Sequence, residues 1–381
     1  MFKVITSVFT VIALLFGSGY PVTGGYTAQT APGEFKEILR NNSKLEEVPH
    51  TGTPSEYVWS PEDEYTADYG AVVYKESGRE FKILNIADIH FSDVGYRILT
   101  GIGAEAVLRE LVKETQPDLI TLSGDIVCER ADWFSIRRLT DLMEEFGIPW
   151  APVFGNHDDE ANCDLNCLAE IMMNGPHCLM KKGDSRMGCG NYVINIAEKG
   201  TDGDKIVETL IMTDSHHSIP NELQAQWVKW VAEGTKRLSE NAEISLMMHV
   251  PLPEYQLAFD EFHSAAGWDA ASAGCGQKHE KICCERDASS NAQPSVFFDV
   301  CRKAGNVKYI FCSHDHRNDF SVNYQGIRLT YMMKIGLASG VQPGFDGGTL
   351  ISVGSQGISS ITHKTLSLTG FKDKEKIITA N

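Results

Sequence analysis

The chain has 381 residues, 42% of them apolar and 22% charged, with 34 Gly and 14 Pro. This excludes a disordered tail or a coiled coil and suits one large α/β domain or two small ones. Its 51 acidic against 34 basic residues give a formal charge of −17, which argues against a protein that grips nucleic-acid backbone through a broad basic face. A small anionic partner would need concentrated local positive charge, and in so acidic a chain bound metal is the obvious way to supply it.

In chain order, Lys3 is followed by an almost uninterrupted apolar run from Val4 to Phe16 and then by Gly17, Ser18 and Gly19. Residues 1–19 therefore read as a secretory signal peptide. The run falls short of the roughly 20 apolar residues of a membrane span, so an uncleaved anchor is the lesser reading and the mature chain is expected to carry no span. Residues 20–78 are rich in Thr, Ser, Pro, Glu and Gly without a sustained period and read as an N-terminal arm or linker. They contain the glycosylation tripeptide Asn41-Asn42-Ser43 and a solvated cluster, Glu62-Asp63-Glu64.

From residue 79 to about 370 the pattern is that of one α/β domain. Strands are expected at Phe81–Ala87, Leu119–Ser123, Trp150–Phe154, Tyr192–Ile196, Glu208–Thr213, Ile244–His249 and Lys308–Cys312. Helices are expected at Ala104–Thr115, at Trp133–Phe146, and from Pro220-Asn221 to about Leu238. Trp227 and Trp230 on that last helix read as core-facing. Asp159–Gly190 reads as an irregular excursion and Ala265–Asn291 as a long surface loop. Hairpin-rich β structure follows, and residues 371–381 read as a polar tail.

Ten cysteines suit an oxidising compartment. Cys163, Cys167, Cys178, Cys189, Cys275, Cys283 and Cys284 avoid regular elements and are expected to staple loops, in a connectivity the spacing leaves open. Cys128, Cys301 and Cys312 fall in apolar or strand contexts and read as buried thiols.

The groups able to hold metal sit where strands end: Asp88-Ile-His90, Gly124-Asp125, Gly155-Asn156-His157-Asp158, His249 and His314-Asp-His316. In each Asp-x-His or His-x-His pair an extended backbone would point both side chains to one side. Catalytic groups of α/β sheets gather at the carboxyl ends of strands, so the five segments are expected to meet in one crevice. Two carboxylates, an amide and four imidazoles without thiolate suit Zn, Mn, Fe or Mg. Seven ligands exceed one tetrahedral centre, whereas a bridging carboxylate between ions about 4 Å apart uses them all. A two-metal site is the expectation.

These blocks, over about Phe81–Thr330, resemble the signature of the calcineurin-like metallophosphoesterases, and details such as His249-Val-Pro-Leu-Pro-Glu-Tyr255 resemble their single-domain branch related to purple acid phosphatases. The resemblance implies a four-layer α/β/β/α sandwich of two mixed sheets flanked by helices. It implies one divalent or trivalent metal ion on Asp88, His90, Asp125 and His316, and a second on Asp125, Asn156, His249 and His314. It further implies a metal-bridging hydroxide nucleophile, His157 as proton donor to the leaving group with Asp158 orienting it, and Arg317 as a contact to phosphate. The role of His157 agrees with its chemistry, since imidazole titrates near neutrality and a neighbouring carboxylate favours its protonated form. Two departures stand out. Ser313-His314 replaces the family's usual Gly-His. Cys128 stands where purple acid phosphatases place a metal-binding Tyr, so no purple tyrosinate–iron chromophore is expected.

The sequence thus points to a secreted, two-metal phosphoric-ester hydrolase, most simply a phosphomonoesterase acting on small phosphorylated substrates rather than extended nucleic acid. The alternatives are a phosphodiesterase or nucleotide hydrolase on the same core, and a secreted binding protein with a vestigial metal site. Oligomeric state is left open.

Overall fold

The computed structural model describes residues 56–92, 98–128, 131, 133–200, 203–215, 218–283, 292–335, 344–367 and 370–378. The expected signal peptide, the glycosylation tripeptide, the first part of the arm and Cys284 lie outside the described residues.

In chain order the elements are β1 (Ala71–Lys75), β2 (Phe81–Ile86), α1 (Ile98–Thr115), β3 (Leu119–Ser123), α2 (Trp133–Glu145), β4 (Trp150–Val153), α3 (Leu165–Met173), β5 (Tyr192–Glu198) and β6 (Lys205–Met212). There follow α4 (Glu222–Leu238), β7 (Glu243–Met247), α5 (Pro253–Phe262), the short hairpin β8 (His263–Ser264) and β9 (Gly267–Trp268), α6 (Val296–Ala304) and β10 (Val307–Cys312). The chain closes with β11 (Ser321–Tyr324), β12 (Ile327–Tyr331), β13 (Gly347–Gly354), β14 (Gly357–Ser367) and β15 (Gly370–Ile378).

Two large mixed sheets result, one in the order β1-β5-β6-β7-β10-β12-β11 and the other β15-β14-β13-β2-β3-β4. Each has a parallel run, β6-β7-β10-β12 in the middle of the first and β2-β3-β4 at one margin of the second; antiparallel pairs flank these runs, and β1 pairs parallel with β5 at the edge of the first. Alternation along the strands divides the core. Leu210, Met212, Met247 and Phe311 join the cluster that holds Ile83, Leu122 and Ile351 of the other sheet. Their neighbours Ile211, Leu246, Met248 and Ile310 face the opposite way, onto Trp227 and Val231 of α4 and Phe297 of α6. Leu108 and Leu111 of α1 and Leu139 and Met143 of α2 pack with the six-stranded sheet. This is the expected four-layer sandwich, and no helix among the described residues is long and apolar enough to cross a membrane.

Local chemistry sets the helix ends. Asn221 and Gln224 form a reciprocal capping box at the start of α4, and Ser295 caps α6, which stops at Gly305 in a left-handed conformation. Helix α1 begins six residues before the expected Ala104. Gly101 and Gly103 weaken helix propensity, but a Cβ at position 101 would lie 2.9 Å from the Ser92 carbonyl, so glycine is what admits this packing.

Three other expectations need correction. The arm is not uniformly detached: β1 pairs with β5, and Trp59 and Tyr65 are buried against Trp230 of α4. The excursion after Asp159 contains α3, whose Leu168, Ala169 and Met172 are buried and whose N-terminus is capped by Asp164. The polar tail carries β15, which pairs with β14 at the sheet margin; its Lys-Asp-Lys-Glu-Lys run lacked the apolar alternation by which a half-buried strand is recognised, and such charge is usual on an edge strand.

Among the described residues one disulfide is present, Cys163–Cys167 at the start of α3. Cys178 and Cys189 are thiols packed against the core rather than staples; burial pushes the Cys189 thiol up to about 12. Cys301 and Cys312 are buried thiols as expected.

Candidate metal centre

Both parallel runs deliver their side chains to one end of the sandwich. Asp88 and His90 follow β2, Asp125 follows β3, Asn156 and His157 follow β4, His249 follows β7, and His314 and His316 follow β10. The convergence does not come from the pleat of an extended strand. Asp88, His90 and Asp125 have φ of 48°, 48° and 49°, and His314 has φ 72°. Four ligand candidates thus occupy the left-handed region that non-glycine residues rarely adopt, a form of strain that clusters at functional sites. Hydrogen bonds hold two of them there: Asp88 N–H donates to Gly124 O (3.1 Å) and His90 N–H to Asp125 O (2.9 Å).

The side chains form two groups that share Asp125. Asp88, His90, Asp125 and His316 bring ligand atoms within 4.8 Å of one another, as do Asp125, His249 and His314. Asp125 Oδ2 lies 3.6 Å from His90 Nε2 and 3.3 Å from His249 Nε2, so one oxygen faces both groups. Asn156 Oδ1 is 3.1 Å from His249 Nε2, which puts the amide beside the second group. His316 Nε2 is 3.3 Å from Asp88 Oδ1 and 3.4 Å from His90 Nε2.

A clasp between the two sheets fixes the tautomer of His249. Its Nδ1–H donates to Ser123 O (2.9 Å) at the end of β3 and lies 3.0 Å from Ser313 Oγ, which itself donates to the same carbonyl (2.5 Å). The lone pair of Nε2 is thereby turned into the site. Ser313, an apparent departure from the family pattern, supplies part of this clasp. Glycines supply room: a Cβ at Gly124 would approach the His249 ring to 2.4 Å, and one at Gly155 would approach both Asp125 N and Asp125 Oδ1 to 2.4 Å.

The electrostatics suit cations. Asp88 and Asp125 are 1% exposed, and among the described residues their ion-pair partners are histidines. Burial alone would raise both carboxyls, but the surrounding imidazoles outweigh it and hold Asp125 well below the usual carboxylate range and Asp88 below its ordinary value. Burial pushes His90 and His314 down to about 4, so both are neutral bases near pH 7. His249 is pushed up to about 10, because Asp125 and Asp88 overcome its burial. Asp88 Oδ1 and His314 Nδ1 are buried and accept or donate no hydrogen bond. Ionised carboxylates, the neutral imidazoles of His90 and His314, and unsatisfied buried polar atoms are what a metal site presents. The clustered Asp and His ligands fit two ions without indicating which metal.

His157 stands at the rim, its side chain 41% exposed, with its ring 5.4 Å from that of His90. Its backbone N–H donates to Asp125 Oδ1 (2.8 Å), and its Nδ1 lies 2.8 Å from Glu160 Oε2. Burial disfavours its charge, yet Asp125 and Glu160 raise its pKa above the ordinary value. Asp158, expected to orient His157, instead turns inward: its carboxylate accepts from Gly155 N–H (2.7 Å) and Val127 N–H (2.8 Å). Burial and the charge of Asp125 push its carboxyl up, against those two bonds. The reason for the exchange is local. Asp158–Glu160 form a 3₁₀ turn, in which residues three apart eclipse, so His157 and Glu160 share a side and Asp158 does not. The i,i+3 spacing of His157 and Glu160 was the available signal, and the irregular look of that segment hid it.

Arg317, expected to meet phosphate, is engaged elsewhere, its backbone N–H and guanidinium both bound to Glu280 (2.7 and 3.3 Å). Glu280 belongs to a stretch of the expected surface loop that is tied down on the ligand-bearing turn: His279 N–H and Glu280 N–H donate to Asn318 Oδ1, and Gln277 N–H to Asp319 Oδ1. Cys128 is buried and its thiol donates to His90 O, so it supports the first ligand turn rather than pointing at the ligands.

A family model described as calcineurin-like phosphoesterase matches residues 81–318. A protein named probable inactive purple acid phosphatase 14, from Arabidopsis thaliana, is 27% identical over 305 residues, covering 68% of this chain and 71% of that protein. Phosphatase DCR2 of Saccharomyces cerevisiae is 24% identical over 294 residues, 66% of this chain and 47% of its own length. Among solved structures, a dimetal phosphatase from Danio rerio is 13% identical with a TM-score of 0.45, covering 79% of this chain and 99% of that one.

Proposed function

The chain belongs to the calcineurin-like phosphoesterase family, and from that premise we propose that it is a secreted phosphomonoesterase that works with two bound metal ions. One observation carries the reading: the Asp125 oxygen that faces both ligand groups, in a pocket where, among the described residues, the buried carboxylates have imidazoles as ion-pair partners. Asp88, His90, Asp125 and His316 would hold one ion, and Asp125, Asn156, His249 and His314 the other. Ions bound there supply Lewis acidity, lowering the pKa of coordinated water toward ~7 and offsetting phosphate charge.

The chain's own residues do the rest. His157 gives the proton from Nε2 to the leaving oxygen, and its exposure at the rim lets that atom reach substrate while its backbone N–H stays fixed to Asp125. Asp158 ties the turn Gly155–Asp158 to the loop after Asp125 by accepting one backbone N–H from each. Arg317 is given no role, since the contact its guanidinium makes is to Glu280 rather than to any candidate ligand. Secretion is supported by the apolar leader and is compatible with the Cys163–Cys167 disulfide.

The word "inactive" in the name of the Arabidopsis relative brings forward a binding protein with a vestigial site. Against it stands the ligand set of this chain, in which every position named above is filled by a residue able to bind metal. Metal analysis with hydrolysis of p-nitrophenyl phosphate and bis-p-nitrophenyl phosphate separates the readings. A phosphomonoesterase cleaves the monoester faster, a diesterase the diester, and a metal-loaded protein that cleaves neither overturns the enzyme.

A further inference from the structure

The proton donor proposed above needs an orienting partner, and the neighbour expected to serve, Asp158, is spent on backbone amides. We propose that Glu160 is the positioning residue for His157, holding its ring so that Nε2 faces the leaving group; the inference rests on His157 being the proton donor.

The geometry is specific. Glu160 Oε2 lies 2.8 Å from His157 Nδ1, which fixes Nδ1 as the N–H that donates to the carboxylate and leaves Nε2 as the nitrogen that carries the transferable proton. The two residues bracket a single 3₁₀ turn closed by Glu160 N–H donating to His157 O (3.2 Å), so their side chains stack on one side of it. The turn is anchored at both ends: His157 N–H to Asp125 Oδ1, and Asn162 N–H to Ala131 O (2.8 Å). Immediately beyond, Cys163 is bonded to Cys167 on the first turn of α3, where Asp164 caps the helix. Glu160 therefore projects from a short turn whose backbone has fixed points on both sides.

In the step it serves, a P–O bond forms to the oxygen of the attacking water as the P–O bond to the leaving group breaks; one proton of that water stays on the phosphate product and the other passes to solvent, from which the donor is recharged for the next turnover. The proton on His157 Nε2 passes to the leaving oxygen. Imidazolium becomes neutral imidazole and keeps its Nδ1–H on Glu160, so the ring cannot turn over to the tautomer with no proton acceptor at Nε2.

A donor held in place matters most when the leaving group is a poor one. The test uses full-length, metal-loaded enzyme with Glu160→Ala, Glu160→Gln, His157→Ala and the double variant, on p-nitrophenyl phosphate and on an alkyl phosphate such as glycerol phosphate. Glu160→Ala is expected to lower kcat on the alkyl ester by about 10–100-fold with KM and metal content kept, and to change the p-nitrophenyl rate far less. Glu160→Gln, which still accepts from Nδ1–H, is expected to restore much of the loss. In the His157→Ala background, removal of Glu160 is expected to have no further effect, as for residues that act as one unit. An equal loss on both esters, or a loss that persists in the His157→Ala background, overturns the positioning role while leaving His157 as donor. If His157→Ala itself lowers the two rates equally, the donor reading fails and Glu160's role with it.

Discussion

Gly155→Ala puts one methyl group where the structure has no room for it. The new Cβ would stand 2.4 Å from Asp125 N and Asp125 Oδ1 and 2.7 Å from His249 Cδ2, so the obstacles are a backbone atom and two ligand side chains rather than the end of a flexible chain. No left-handed backbone is involved at this glycine, so the cost is steric. Overpacking of this kind costs about 1–3 kcal/mol, which for a domain of this size lowers Tm by about 2–10 °C. The functional consequence should exceed the thermal one, because Asp125 and His249 must move and Asp125 serves both ligand groups. Gly354→Ala is the control: its Cβ meets nothing closer than 3.7 Å, and a change within about 0.5 kcal/mol is expected. Differential scanning fluorimetry, with metal content after dialysis and turnover of p-nitrophenyl phosphate, reads all three quantities. A Gly155→Ala protein with wild-type metal content and turnover would refute the packing argument.

Two other outcomes are expected. His157→Ala should keep two metals, because its ring is in neither ligand group, yet lose turnover by about 100-fold or more; loss of metal would show that His157 is a ligand. Glu208, fully buried with Oε2 unpartnered, has its carboxyl pushed well above the ordinary value by burial, so the folded state holds this proton where the unfolded state has lost it. Its stabilising contribution is complete below the unfolded value of 4.5 and fades as pH rises toward the folded one, at up to about 1.4 kcal/mol per pH unit. Denaturant melts of Glu208→Gln should show a shallower fall in stability than wild type between pH 5 and 8, and parallel curves would exclude the buried proton.

The framework was legible in the sequence because its signals were local. Strands such as Leu119–Ser123 end in Gly-Asp, Asn-His or His-x-His, so element order already placed the candidate ligands at strand ends. The parts that escaped depend on what lies across space. The clasp of His249 and Ser313 on the Ser123 carbonyl joins two sheets, and no spacing within either reports it. Asp88, His90, Asp125 and His314 have left-handed backbone, at Asp88 and His90 held by cross-loop hydrogen bonds, so the candidate ligands are brought together by a geometry that a strand-pleat argument does not describe. β15 carries a weak pattern of its own and is a strand because β14 offers an edge to pair with, while β1, a β-prone Val-Val-Tyr run, lay hidden inside a stretch otherwise without a period. Glu160 rather than Asp158 reaches the His157 ring because sequence adjacency does not decide which side of a 3₁₀ turn a carboxylate occupies.

The central claim is that Asp125 joins two metal sites, and metal stoichiometry by inductively coupled plasma mass spectrometry, on wild type and Asp125→Asn purified in parallel, tests it most directly. Two ions per chain in the wild type, with both occupancies reduced in the variant, is the expected result. A single ion in the wild type, or a variant in which either site keeps its full occupancy, would contradict it.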